Sequence, residues 1–153
     1  IAGGFDLAQF CDIRIAVPGA QFAQAEIKLG LTQMIYPLYK SIGLARAREL
    51  AMTGDPISAE EAWRIGFVNH LVENSELMPK VMELASRLAT RPREALFETK
   101  KLSWELPDLQ NDQAFERMGN SIQARLGSEE FRQSFEAFLN ELKIRKGSKR
   151  SDS

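Results

Sequence analysis

The chain is short of the residues that staple or metallate proteins: its 153 residues include one cysteine, Cys11, and one histidine, His70. One cysteine excludes an internal disulfide framework, and one histidine excludes a His-rich metal site. His70 also has no Cys or Ser partner in a recognised arrangement, which leaves a nucleophilic triad without support. Neither charge is in excess: 20 Lys+Arg stand against 21 Asp+Glu, for a net charge of −1. The electrostatic footprint of a duplex-binding protein is therefore missing. No apolar run approaches the ~18 residues of a membrane span. There is no GxGxxG, no P-loop and no HExxH, so dinucleotide-binding, phosphate-loop NTPase and zincin readings lack their signatures. The start, Ile-Ala-Gly-Gly, carries neither Met nor a signal peptide. These absences predict a soluble, cytoplasmic protein, of which this chain is a piece.

What is present is a 44% apolar composition, enough for the core of one ordinary domain. Gly3-Gly4 allow a close-approach turn into a short buried helix through Leu7, Ala8, Phe10 and Cys11, with Cys11 packed inside. Asp12 to Val17 alternates polar and apolar residues, which predicts a strand that Pro18-Gly19 ends. Residues 21–31 have no clean period and read as a loop with a short extended piece. From Tyr36 the period turns helical, with Leu38, Ile42, Leu44, Ala47 and Leu50 in step, Gly43 interrupting and Thr53-Gly54 closing. Ser58-Ala59-Glu60-Glu61 is a capping box for a short helix ended by Gly66. Phe67 to Val72 reads as a short strand or connector. Long helices follow from Ser75 to Leu88, after Arg91-Pro92, and over about 111–126 and 128–143. Phe131, Phe135 and Phe138 form one face of the last helix, expected to be buried against helices of this or a neighbouring subunit.

Six of these segments agree, in order and spacing, with the enoyl-CoA hydratase/isomerase (crotonase) superfamily. Ala2 to Leu7 resembles the family's GGGxEL turn, and Cys11 to Ala16 its ACDIRIA strand. Phe22 to Gly30 is similar to FGxPExxLG, and Gly43 to Gly54 to the VGxxxAxELxLTG helix. Ile57 to Asn69 resembles ISAxEAxxxGLVN, and Ser128 to Leu139 the closing SEDFxEGxxAFLEKR helix. The resemblance covers essentially the whole chain and corresponds to the family's C-terminal half. There are two departures. Asp6 stands where the family has Glu, and Leu31 to Tyr39 stands in place of the PGAGGTQRL loop that borders the acyl pocket.

The resemblance implies an α/β crotonase spiral fold, seen here as its helix-rich C-terminal part. Residues 1–72 would belong to the core, 73–146 to a helical trimerisation region and 147–153 to a flexible tail. It implies hydration of a 2-enoyl-CoA thioester. The alternatives are Δ3-Δ2-enoyl-CoA isomerisation, which can run on one carboxylate, and an inactive acyl-CoA-binding or assembly module. Gly3 matches a family oxyanion donor, a role that suits a helix N-terminus. Glu26 and Asp6 match the acid/base pair, with Glu26 the main group. Asp6 is one methylene, about 1.5 Å, shorter than Glu, and catalytic geometry tolerates errors near 1 Å poorly. Gly4, Gly30, Tyr36 and Lys143 fall where substrate contacts are implied; the family's CoA-contacting lysine maps to Glu141 or, shifted, to Lys143. The CoA thioester is substrate, with no metal and no other cofactor implied. A homotrimer or dimer of trimers is the implied assembly, with no nucleic-acid or membrane partner.

Overall fold

The computed structural model describes the backbone of residues 1–151 and the side chains of residues 1–144. The tail expected at 147–153 lies outside the fully described residues. The chain divides into two compact units, Ile1–Ala85 and Ser86–Ser153.

The first unit starts with α1 (Gly3–Gln9), then β1 (Ile15–Ala16), β2 (Gln21–Phe22) and a 3-10 helix, η1 (Ala25–Leu29). It continues with α2 (Leu38–Ile42), α3 (Leu44–Thr53), β3 (Ile57–Ser58), α4 (Ala59–Arg64), β4 (His70–Leu71) and the start of α5 (Leu77–Ala89). The strands form two minimal pairs: β1 lies parallel to β4, and β2 antiparallel to β3. The strand expected over Asp12–Val17 shrinks to two residues for a visible reason. The Arg14 amide donates to the Asn69 side chain at 2.8 Å instead of to a neighbouring backbone carbonyl. In the segment read as a loop with a short extended piece, 21–31, the extended piece is β2 and the rest carries η1. Ser58 caps α4 by accepting the Glu61 amide at 3.2 Å. The Glu61 carboxylate turns to Arg64 at 2.6 Å, so only the serine half of the expected capping box forms.

Three aromatic rings centre this unit's core. Phe5, Phe22 and Phe67 stand 5.0–5.8 Å apart, centroid to centroid, in tilted and edge-on pairs. Leu38, Ala47, Ala59, Ala62 and Val68 close around them. Arg14 reaches over the Phe67 ring, 4.6 Å from its centroid, and donates to the carbonyls of Phe67 and Ala8. It thereby ties the end of α1 to the segment entering β4. Burial pulls the Arg14 guanidinium below its ordinary pKa, against Cys11 and Asp12, which act to raise it. Helix α1 is buried on one stripe only, Phe5 and Gln9, because seven residues turn a single i, i+4 pair inward. Leu7 and Phe10 are exposed, and Cys11 is exposed too rather than packed inside.

The second unit contains α6 (Arg93–Glu105), α7 (Asn111–Leu126) and α8 (Glu129–Ser151). Pro92 stands at the N-cap of α6 and supplies no side-chain acceptor. Glu130 of α8 does so instead, taking the amides of Glu94 at 3.1 Å and Ala95 at 3.3 Å. Between α6 and α7, Arg117 bridges Glu98 at 2.8 Å and Glu105 at 3.0 Å, and Ser121 donates to Glu98 at 3.0 Å. The face of Phe131, Phe135 and Phe138 is not buried by this chain: the three residues are 37%, 48% and 53% exposed. Phe131 and Phe135 stack on each other at 5.6 Å, as residues one helical turn apart can. Among the described residues, no helix is long and apolar enough to cross a membrane.

Candidate active site

The site grows from the start of α1. Ala2 takes φ 56° and ψ −139°, a backbone shape that glycine adopts with ease and other residues seldom do. The Ala2 amide donates to the Ala23 carbonyl at 2.9 Å, which docks the turn onto the end of β2. The Ala2 carbonyl accepts the amides of Phe5 at 2.7 Å and Asp6 at 3.1 Å. Gly3 and Gly4 stand ahead of those bonds, where a helix leaves its first N–H groups without intrahelical partners. Both glycines are exposed, and a Cβ built on either would meet nothing within 4 Å.

Asp6 lies one turn further along, half-buried. Its Oδ1 accepts from Gln9 Nε2 at 3.1 Å and from Gln24 Nε2 at 3.4 Å. Gln24 is fully buried, and the same amide donates to the Met34 carbonyl at 2.7 Å. One side chain therefore links Asp6, the approach to η1 and the 31–36 loop. Two residues past Gln24, Glu26 sits in η1, half-buried. Gly30 closes η1 in the left-handed conformation at φ 80°. The amides of Gly30 and Leu31 fold back onto the carbonyls of Ile27 at 3.0 Å and Glu26 at 3.2 Å.

Three buried side-chain oxygens among the described residues have no hydrogen-bond partner: Gln9 Oε1, Gln24 Oε1 and Glu26 Oε2. All three belong to this region. A buried acceptor left unpaired costs about 1–3 kcal/mol, so a concentration of them in one place sets that place apart.

Of the residues singled out in the sequence, Gly3, Gly4, Asp6, Glu26 and Gly30 lie on α1 and η1 of the first unit. Tyr36 follows two residues after Met34. It is exposed, edge-on to Tyr39 at 5.7 Å, with Lys40 Nζ 5.1 Å from its ring centroid. Lys143 is an exposed residue of α8, in the second unit. His70 lies in β4, in register with Ile15. Sequence reasoning missed Gln9 and Gln24. Neutral amides carry no motif of their own, and the only available signal was Gln24's place two residues ahead of Glu26.

A glycine-led helix carries one carboxylate and a short helix beside it another, and the α/β fold that holds them is the crotonase fold of the enoyl-CoA hydratase structures it superposes on. The chain belongs to the enoyl-CoA hydratase/isomerase family, which matches residues 1–148. It is 32% identical over 146 residues to the crotonyl-CoA hydratase of Syntrophomonas wolfei, covering 94% of this chain and 56% of that protein. An enoyl-CoA hydratase structure from Geobacillus kaustophilus superposes with a TM-score of 0.83 at 34% identity, over 92% of this chain and 56% of that one. A putative enoyl-CoA hydratase from Thermobifida fusca, solved in complex with CoA, gives 0.77 at 32% identity, over 82% of this chain and 50% of that one. The chain thus spans about half the length of these relatives.

Proposed function

We propose that the protein to which this chain belongs adds water across the double bond of a 2-enoyl-CoA thioester. The water oxygen bonds the β-carbon, and one carboxylate takes a proton from that water. The other carboxylate delivers a proton to the α-carbon, while the thioester oxygen carries the charge of the enolate between the two steps. Glu26 is the main acid/base, Asp6 its partner, and the Gly3 amide one of the donors to the enolate oxygen. Gly4, Gly30, Tyr36 and Lys143 are assigned to the substrate. The reaction moves protons without net electron transfer, so it asks for no redox cofactor.

The observation that carries the proposal is the polar cluster itself. Asp6 is bonded to the buried amide that leads, two residues on, to a glutamate with an unpartnered oxygen. The hydratase names of the relatives and the CoA bound to one of them support the substrate class. A second reading has its own support: Asp6 is the shorter acid and its Oδ1 is already taken by two amides, which favours an isomerase working on Glu26 alone.

The test is the hydration rate of crotonyl-CoA by the full-length protein. Glu26→Gln keeps the shape and removes the proton, and kcat falls by ~10²–10⁴-fold. Asp6→Asn costs a similar amount if both acids hold the water; an isomerase would instead interconvert 3-enoyl- and 2-enoyl-CoA, and Asp6→Asn would cost clearly less in that rate. Near-wild-type activity in Glu26→Gln would sink the mechanism, and a wild-type protein without turnover would put the inactive module ahead.

A further inference from the structure

We infer that Gly54, which caps α3, is a positioning residue for Glu26, acting through the seat it gives η1; the inference rests on the catalytic reading of Glu26 above. Gly54 is buried, with φ +66°. A Cβ at this position would stand 2.6 Å from Ile27 Cγ2, 3.1 Å from the Gln24 carbonyl oxygen and 3.3 Å from Lys28 Cε. Those atoms flank Glu26 in the chain. Gly19, Gly30, Gly43 and Gly66 also have positive φ, yet a Cβ on any of them meets nothing within 4 Å. Conformation alone therefore explains those glycines and not Gly54, where two side chains of η1 and the carbonyl of its N-cap, Gln24, rest directly on the cap.

The side chain of Glu26 has little else to fix it, since its Oε2 is buried without a partner. What places the carboxylate is the placement of its short helix. A methyl at position 54 pushes that helix off its seat, and a shift near 1 Å is enough to misalign an acid/base group. The exposed Lys28–Asp55 pair at 2.9 Å joins the same two elements, but an exposed pair holds weakly.

The experiment compares Gly54→Ala, Ile27→Ala, the double variant and Gly66→Ala in the full-length protein. It reads kcat and KM for crotonyl-CoA hydration, and hydrogen exchange at the amides of Gly30 and Leu31, which report η1. Gly54→Ala lowers kcat at least ~10-fold with a smaller change in KM, and speeds both amides. Ile27→Ala, which empties the seat from the other side, also speeds them and covers the case in which Gly54→Ala does not fold. Combined, the two changes compensate, and kcat and exchange recover in part. Gly66→Ala carries the same backbone strain without the collision and keeps kcat within ~2-fold. Wild-type kcat and exchange in Gly54→Ala, unchanged exchange in Ile27→Ala, or an equal kcat loss in Gly66→Ala would each overturn the inference. An inactive wild-type protein would end the hydration reading. Exchange alone would then decide the seating of η1: faster in Gly54→Ala and relieved by Ile27→Ala upholds it, while no change overturns it.

Discussion

At Ala2 the backbone is held at φ 56° by the bond from its amide to Ala23, with a methyl group where glycine is more at ease. Such a conformation costs a non-glycine residue about 1–3 kcal/mol, and glycine's extra freedom in the unfolded chain offsets part of the relief. Ala2→Gly is therefore expected to stabilise the protein by about 1 kcal/mol, read as a higher urea midpoint at unchanged slope. The same turn shows how far single residues can be read from sequence. Asp6 and Glu26 were visible because charged groups in a motif advertise chemistry. The amides that surround Asp6 were not, since Gln9 and Gln24 reveal their purpose only when burial and direction are known. The burial of Cys11 was misread because the apolar stretch through Leu7, Ala8, Phe10 and Cys11 does not say which of its members face inward.

At the scale of elements, α6 begins at a proline that cannot cap it, and Glu130 of α8 supplies the missing acceptor. Glu130→Ala removes both bonds and should cost about 1 kcal/mol, within the range of lost N-caps, in thermal or urea unfolding. The bridge between α6 and α7 gives a pH dependence with a definite sign. Hydrogen bonds from Arg117 and then Ser121 hold the Glu98 carboxyl below its ordinary pKa. The unfolded chain thus binds a proton that the folded one resists. The stability from this group is complete above the ordinary Glu range and is lost as pH falls through the lowered value. Urea unfolding between neutral pH and about pH 3 should show this loss, and Arg117→Met should flatten it. Periodicity marked α7, which falls on the expected 111–126, and Gly43 and Gly54 break and close helices where glycine predicts, while α8 runs to Ser151, past the expected end at 143. The strands were overread. Alternation over six residues marks a potential strand, but its length is set by which neighbours offer hydrogen bonds, and here β1 finds two paired positions.

Among the described residues, two pairs of two-residue strands are too little sheet to stand alone, and large apolar side chains such as Leu7, Phe97, Phe115 and Phe138 are exposed. These 153 residues, purified alone, are expected to turn over no crotonyl-CoA; measurable hydration by them would refute this. A trimer of the kind the family resemblance implies would use the Phe131, Phe135 and Phe138 face, which this chain leaves exposed. Size could be followed through a feature at the other end of the chain. Cys11 is the only thiol in these residues and it is exposed, its Sγ 3.7 Å from the Leu7 carbonyl. A maleimide fluorophore would therefore attach at one address, and its polarisation would report how slowly the labelled particle tumbles.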